Sequence, residues 1–509
     1  MADRSMPDHS VADRPAALLL SPGDSVGIAL QALEPGETRL GVLLAEPVPA
    51  GHKFALRPHA PGDPIIKYGQ VMGEATAAIA PGQHVHVQNA GMAAPGRAAA
   101  GQAGRLPASP ARRSFQGFSR RDGRVGTRNF IGIIASVNCS STVCNAIARE
   151  ANARLLPQFP NLDGFVPIVH DQGCGIATAG EGFALLVRVL RGYRDHPNFG
   201  GVLLVGLGCE VNQLTLYRRD DETRERHASF NIQEVGGSAE AVRRALERLA
   251  PIAARADADR RRTLPVSGLT LGMQCGGSDG FSGITANPAL GVASDLLVAA
   301  GGTSILSETP EIYGAEHLLI ARASAADGQR LRKMIRWWEG YTRANGASLD
   351  NNPSPGNKRG GITTILEKSL GAVAKAGLAP LSAVHGYAEP IRGPGLVYMD
   401  SPGYDPVAAT GQVAAGANVI AFTTGRGSCF GAHPVPSLKL ASNTALWRAM
   451  RGDMDIDCGK VAEGAVSLQE MGEEIYHKIL DTASGERSKS EIFGYGDAEF
   501  VPWRIGAVL

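Results

Sequence analysis

Residues 274–291 read Gln-Cys-Gly-Gly-Ser-Asp-Gly-Phe-Ser-Gly-Ile-Thr-Ala-Asn-Pro-Ala-Leu-Gly. They gather a thiol (Cys275), a carboxylate (Asp279), three hydroxyls (Ser278, Ser282, Thr285) and five glycines within eighteen positions. So many polar groups on so flexible a backbone make a poor core and a good site. A thiolate beside a carboxylate suits a soft or borderline metal ion better than magnesium. The apolar run 269–273 in front of the loop reads as a buried strand. Asn287-Pro288 predicts a helix start, with an N-cap residue followed by proline at the first helical position.

Polar loops of the same kind follow the other apolar runs, which lie at 131–137, 165–169, 201–207, 303–306, 396–399 and 418–422. After them come Asn138-Cys139-Ser140-Ser141, His170-Asp171-Gln172-Gly173-Cys174-Gly175, Gly208-Cys209-Glu210, Ser307-Glu308, Asp400-Ser401 and Thr423-Thr424-Gly425-Arg426-Gly427-Ser428-Cys429. Amphipathic stretches at 238–256, 325–344 and 466–482 predict helices. Strands alternating with helices imply parallel α/β layers, and such sheets bind ligands beyond the carboxyl ends of their strands.

Five of the seven cysteines fall at those ends; Cys144 and Cys458 lie elsewhere and read as packing thiols. One cysteine beside a glycine is ordinarily packing, but five in one topological position favour chemistry. Cys139, Cys174, Cys209, Cys275 and Cys429, with Asp279, are therefore candidate metal ligands. No CxxC pair occurs, so a closed zinc site is not expected. An iron-sulfur cluster on three of the cysteines and a single Fe(II) with mostly oxygen ligands both remain open.

Gly425-Arg426-Gly427 is suited to a backbone nest for an anion, with Arg426 pairing a carboxylate. Pro434 and Pro436 stand where a nucleotide-binding helix would begin, and there is no phosphate-binding Walker loop. Lys358 and Arg359 precede a predicted helix start at 361–364, a place that attracts anions.

Before the α/β region, residues 18–91 alternate short apolar segments with Pro-Gly and Gly-x turns, which predicts a compact β unit. It carries Gly51-His52-Lys53-Phe54-Ala55-Leu56, Ile66-Lys67-Tyr68-Gly69 and His84-Val85-His86-Val87-Gln88-Asn89. Alternation puts His84 and His86 on one strand face. Residues 1–17 read as a disordered tail, and the Ala/Gly/Pro/Arg-rich residues 92–114 as a linker.

A chain of 509 residues holds about two to four domains. A net charge of +1 argues against nucleic acid or a membrane surface as an electrostatic partner. No stretch approaches the roughly 18 apolar residues of a membrane span, and the polar residues 1–15 do not read as a signal peptide. An odd count of seven cysteines reads as reduced thiols in the cytoplasm.

Taken with Asp122-Gly-Arg-Val-Gly-Thr-Arg-Asn129, Gly206-Leu-Gly-Cys-Glu210 and Thr424-Gly-Arg-Gly-Ser428, these motifs resemble the altronate/galactarate dehydratase family from about Leu18 to the C-terminus. The resemblance implies a β-clip (SAF-type) N-terminal domain and Rossmann-like parallel α/β domains. Residues 115–262 would form a middle domain able to support a homodimer, and residues 266–509 a metal-binding catalytic domain. It also implies dehydration of a small-molecule sugar acid to a 2-keto-3-deoxy acid, with iron under reducing conditions; Mn(II) is a second candidate ion. Gln88 is one departure, since family members often carry histidine there.

On this reading the catalytic candidates are Lys53, His86, His170 and Arg426, with Lys53, His86 or His170 as base and Arg426 orienting a carboxylate. Substrate contacts are expected from Asn89, Ser278, Lys358, Arg359 and Thr424. The small N-terminal domain would close over the sheet edge and bring His86 with it. Two rival readings are a sulfo-lyase acting on sulfolactate and a non-catalytic carbohydrate-binding protein.

Overall fold

The computed structural model of the protein describes residues 15–93, 106–218 and 224–506. The expected tail lies outside these except for residues 15–17, as does the linker between 94 and 105.

The N-terminal unit is built from short antiparallel strands. Ala17–Leu18, Val26–Ala29, Lys53–Ala55 and His84–Val85 form one sheet in that order, and Pro64–Lys67, Gln70–Ala75 and Ala90–Gly91 form another. The hairpin between Pro64–Lys67 and Gln70–Ala75 turns at Tyr68 and Gly69, both left-handed (φ 62° and 67°). Such a two-residue turn matches the strand twist. The Asp24 carboxylate fixes it by accepting the N–H groups of Tyr68 (3.2 Å) and Gly69 (2.8 Å). Tyr68 is thereby held in a conformation few bulky residues adopt.

Two parallel sheets follow. The first has the order Gly164–Ile168, Phe130–Ala135, Phe199–Gly206, His227–Asn231. The strands that enter and leave this middle unit, Ser114–Ser119 and Arg262–Pro265, pair antiparallel with each other. The second sheet has seven strands, in the order Leu381–His385, Gly395–Met399, Thr303–Leu306, Thr270–Cys275, Val419–Thr424, Ser437–Ala441, Ile456–Asp457. The chain leaves Thr270–Cys275 toward one edge and Val419–Thr424 toward the other. The carboxyl ends of these two adjacent strands therefore form the crevice where open α/β sheets bind ligands. Among the described residues, no helix is long and apolar enough to cross a membrane.

All seven apolar runs are strands, and the three amphipathic stretches are the helices Ser238–Asp257, Ala325–Ala344 and Leu468–Ala483. In the two parallel sheets, four further strands among the described residues carry too little hydropathy to be read from sequence. Ser437–Ala441 is the instructive one: Lys439 sits inside a buried strand, its Nζ donating to the Phe430 carbonyl (3.0 Å) and Ser490 Oγ (2.5 Å). The expected helix start at Asn287 is also moved, because the helix is Ala286–Ala299. The Asn287 amide does not cap it but donates to the Gly371 carbonyl (2.9 Å) and accepts from Thr423 Oγ1 (2.6 Å).

The N-terminal unit lies against the seven-stranded domain through a continuous apolar core that includes Val26, Ala55, Ile65 and Met72 on one side and Leu271, Leu290 and Leu370 on the other. Where the backbones meet, side chains are excluded. A Cβ on Gly280 would run into the Gly51 carbonyl, and one on Gly361 (φ 101°) would approach the same carbonyl at 2.5 Å. Two of the glycines in and beside the 274–291 loop are thus explained by close packing. Gly280→Ala is expected to cost about 1–3 kcal/mol in urea unfolding through overpacking. Gly340→Ala, in an open position of the helix Ala325–Ala344, should be neutral or stabilising by up to about 1 kcal/mol.

Candidate active site and metal centre

The loops beyond Thr270–Cys275 and Val419–Thr424 are knitted together at the crevice: the N–H groups of Gly425 (3.0 Å) and Arg426 (2.8 Å) donate to the Gly277 carbonyl. Beneath them lies a buried cluster of acids and amines. Cys275, at the end of the central strand, has its Sγ 3.6 Å from Glu311 Oε2 and accepts from Lys375 Nζ at 2.8 Å. Lys368 donates to Glu311 Oε1 (2.7 Å) and to Asn352 Oδ1 (2.7 Å), while the Asn352 amide donates to Glu311 (2.9 Å). Cys275, Glu308 and Glu311 can each place one ligand atom within 4.8 Å of the other two.

Glu308 is the anomaly of this cluster. It is 1% exposed, yet neither carboxylate oxygen has a hydrogen-bond partner, and the Lys375 ammonium stands 3.7 Å away. Its φ of 74° is left-handed, a strained state for a non-glycine residue. Burial, and then Glu311, raise its pKa well above the usual carboxylate range. Burial also pushes the Cys275 thiol up to about 12 against the pull of Lys375, and Asp405 rises to about 7 through burial and Glu311. Burial works against the Lys375 ammonium as well, but Cys275, Glu308 and Glu311 more than offset it. An orphaned, strained carboxylate beside a thiol and a second carboxylate is a donor set that a soft or borderline divalent ion satisfies.

Lys368 lies on the helix Ile365–Val373, and from the residue before it, Glu367, a second network crosses to the N-terminal unit. Glu367 accepts Lys53 Nζ at 2.9 and 3.0 Å and Lys67 Nζ at 2.7 Å; Lys53 also donates to the Gly361 carbonyl at 2.6 Å. All three groups are buried, and Glu367 falls to about 2 because the two ammoniums outweigh its burial. Two cations share one anion, so they part company. Burial with only that carboxylate nearby lowers Lys53 to about 8, whereas Lys67, which also lies over the Tyr68 ring at 4.8 Å, is held above its ordinary value. A small internal cavity between the units is lined by Lys67, Tyr68, Cys275, Ser278, Glu367 and Lys368, among others.

At the edge of this network three imidazoles touch. The rings of His52, His84 and His86 have centroids 4.9–5.5 Å apart, and His52 Nδ1 is 2.9 Å from His84 Nε2. His86 Nδ1 is 3.2 Å from Thr363 Oγ1. Burial, followed by neighbouring positive charge, lowers all three, His84 to about 4 and His86 to about 3, so each is neutral at pH 7. Asn89 braces their strand, accepting from the His86 N–H (3.0 Å) and donating to the His84 carbonyl (2.9 Å).

The other sequence candidates are placed as follows. Ser278 lines the cavity and its carbonyl accepts from Asn357 (2.8 Å). The Asp279 carboxylate is taken up by Ser282, Ser442 and Asn443 at 2.8–3.0 Å, which ties the loop down and leaves it outside the Cys275 trio. Thr424 Oγ1 accepts the Gly427 N–H (3.0 Å) within its turn, and the Arg426 side chain is exposed nearby. Lys358 and Arg359 lie at the end of the helix Pro355–Arg359, with the Arg359 carbonyl 3.4 Å from His52 Nε2. Cys429 is exposed on the loop after Val419–Thr424.

His170, Cys139, Cys174 and Cys209 belong instead to the middle unit, at the end of the four-stranded sheet. His170 Nε2 lies 3.0 Å from the Ala135 carbonyl and Nδ1 accepts the Gln172 N–H at 3.2 Å, so both nitrogens are occupied. Sequence reasoning did not single out Glu311, Glu367, Lys368, Lys375 or Asp405. Glu308-x-x-Glu311 after a strand was the one available signal. Ile365 to Lys375 reads as an ordinary amphipathic surface helix.

Glu367→Gln leaves two buried ammoniums facing a neutral amide, which is expected to lower the unfolding free energy by about 3–5 kcal/mol at pH 7. The depressed Lys53 also gives a signature in the intact protein. Between about 8 and 10.5 the unfolded chain holds a proton that the folded one has released, so stability rises with pH across that window. Urea titrations should record the rise, and Lys53→Met should flatten it.

Three family models match the chain: the altronate/galactarate dehydratase SAF domain over residues 15–93, the second domain of D-galactarate dehydratase/altronate hydrolase over 117–257, and the C-terminal domain of D-galactarate/altronate dehydratase over 266–508. The chain is 36% identical to an altronate dehydratase of Bacillus subtilis (strain 168) over 476 residues, covering 91% of this chain and 94% of the relative. It is 36% identical to the galactarate dehydratase (L-threo-forming) of Escherichia coli (strain K12) over 470 residues, 88% of each. It is also 31% identical over 399 residues to the (2R)-sulfolactate sulfo-lyase subunit beta of Chromohalobacter salexigens, covering 77% of this chain and 98% of that one. With three domain models matched in order and relatives aligned nearly end to end, the chain belongs to the altronate/galactarate dehydratase family of hydro-lyases.

Proposed function

We propose that the protein dehydrates a sugar acid at C2–C3 to a 2-keto-3-deoxy acid, with Fe(II), or else Mn(II), held by Cys275, Glu308 and Glu311. The observation that carries the reading is the buried, unpartnered Glu308 carboxylate at the end of the central strand. The chemical problem is a weakly acidic proton beside a carboxylate and a poor hydroxide leaving group. The bound ion would supply Lewis acidity toward the substrate carboxylate and an adjacent hydroxyl.

The chain supplies the rest. Lys368, charged and at the cavity wall, attracts the substrate carboxylate. Lys53, with a pKa of about 8, has the basicity to take the C2 proton near neutral pH, and Glu367 holds its amine in place. Lys67, which keeps its proton and lines the cavity, donates to the departing hydroxyl. The packed seam between the units, where Gly51 meets Gly280 and Gly361, keeps water out. A sulfonate leaving group asks for the same proton removal, so sulfolactate belongs in the test.

The experiment is anaerobic loading with Fe(II) or Mn(II) and a thiol, followed by a panel of aldonates and aldarates scored for 2-keto-3-deoxy product, with sulfite measured for sulfolactate. Product from at least one sugar acid is expected; none from any, with metal verified as bound, overturns the reading. Glu308→Gln should lose the metal. Lys53→Met should lower kcat by about 10²–10⁴-fold and abolish the limb near pH 8 in the rate profile while metal content is unchanged.

A further inference from the structure

The middle unit carries chemistry that the reading above leaves unused. Beyond the ends of three strands of its parallel sheet stand three exposed cysteines, Cys139 in the first turn of a helix and Cys174 and Cys209 in loops. The preceding strands are neighbours, with Phe130–Ala135 between Gly164–Ile168 and Phe199–Gly206. Hydrogen bonds stitch the loops together. The Asn138 N–H donates to the Gln172 carbonyl (2.9 Å), the Asn212 N–H to the Gly173 carbonyl (3.1 Å), and the Asn212 side chain to the Ser136 carbonyl (2.8 Å). Left-handed glycines flank two of the thiols: Gly173 (φ 100°) and Gly175 (φ 59°) around Cys174, and Gly208 (φ 127°) before Cys209. A Cβ on Gly173 would meet the Ser136 carbonyl at 2.5 Å, so the close approach of the loops requires glycine there. The backbone thus brings three thiol-bearing loops together while leaving the thiols outside the core. Packing cysteines do the opposite, as Cys144 and Cys458 do at 0% exposure.

The surroundings suit anionic sulfur. Cys139 is the second residue of the long helix Asn138–Arg154, which has no side-chain N-cap bond and no acidic residue in its first turn. The positive end of that helix is therefore open to negative charge. The Gln233 amide donates to Cys209 Sγ at 3.5 Å. Two carboxylates of these loops are engaged elsewhere: Glu210 with the Ser136 hydroxyl (2.6 Å) and the N–H groups of Leu207 (3.1 Å) and Gly208 (2.6 Å), and Asp171 with Arg504. Among the described residues no carboxylate joins these thiols in a metal-binding trio, and a set of three thiols selects thiophilic iron or zinc over oxygen-seeking ions.

Spacing separates these two. A single ion about 2.3 Å from each sulfur needs every sulfur pair within about 4.6 Å. Among the described residues, the one trio of ligand atoms mutually within 4.8 Å is Cys275, Glu308 and Glu311, so the three thiols stand wider apart. A cluster, which binds each sulfur to a different iron, accepts the wider spacing. We propose that Cys139, Cys174 and Cys209 hold a cubane iron-sulfur cluster with one iron free of protein thiolate, a centre separate from the one at Cys275.

The test reconstitutes the full chain anaerobically with ferric and ferrous iron and sulfide, removes unbound reagents, and measures iron, acid-labile sulfide and visible absorption. Iron and sulfide in equal amounts are expected in Glu308→Gln, and in the unsubstituted chain iron should exceed sulfide by the ion at the Cys275 centre. The absorption should be lost in Cys139→Ser, Cys174→Ser and Cys209→Ser, and kept in Cys429→Ser and Glu308→Gln. Thermal unfolding of each variant guards against misfolding, and alkylation of the unsubstituted chain gives a second readout. After reconstitution the three thiols should be protected from iodoacetamide while Cys429 still reacts. Iron without sulfide, absorption that survives the three substitutions, or unprotected thiols would each overturn the proposal. None of these readouts depends on turnover, so failure here is distinct from failure of the dehydratase reading.

Discussion

One buried carboxylate shared by two buried ammoniums holds the site together. Glu367 receives Lys53 and Lys67 from two different strands of the N-terminal unit, all three groups almost wholly out of water. Taking three charges out of water is costly, and the cost is recovered only if the partners stay in register. Sliding the N-terminal unit against the seven-stranded domain would strand charges on both sides. The interface is therefore geometrically specific in a way that apolar packing alone would not make it. The glycine contacts at Gly51, Gly280 and Gly361 bring the backbones close enough for those charges to meet.

The helix Ile365–Val373 turns that constraint into a site. Every one of its nine residues is buried. Thr364 caps it by accepting the Glu367 N–H (3.2 Å), and the same hydroxyl donates to the Met72 carbonyl (2.5 Å) in the N-terminal unit. Consecutive residues then face opposite networks: Glu367 meets the two lysines of the small unit, while Lys368 meets Glu311 in the candidate metal centre. Lys375, just past the helix end, contacts Cys275. One short element thus supplies charge to both halves of the cavity, and moving it would disturb both.

The layered fold was legible because buried parallel strands are written as continuous apolar runs, and the polar residues at their ends marked the crevice. Cys275, Ser278, Lys53 and His86 were legible for the same reason, sitting in dense polar motifs next to strands. What was hidden has a common cause. Glu367, Lys368 and Lys375 look like the solvated face of a surface helix, because a single sequence does not say that a second domain covers that face. Asp279 misled in the opposite direction: a carboxylate in a glycine-rich loop looks like a ligand, yet two hydroxyls and an amide use its oxygens to pin the loop. The sequence reading separated two α/β domains but pooled their strand-end thiols into one ligand set. Equivalent strand ends in different sheets carry equivalent motifs, and only the pairing order separates Cys139, Cys174 and Cys209 from Cys275.

That separation has a chemical consequence. A thiol in a dry pocket resists ionisation, and burial pushes Cys275 up to about 12 despite an ammonium at 2.8 Å. Such a sulfur becomes a ligand only when an incoming cation replaces the proton, so its site must also supply carboxylates to neutralise the added charge. Glu308 and Glu311 are the carboxylates at hand. The thiols of the middle sheet are exposed, Cys139 at the start of a helix without a side-chain cap and Cys209 beside the Gln233 amide. The same position at the end of a parallel strand thus presents thiols in two environments, one buried among carboxylates and one open to solvent.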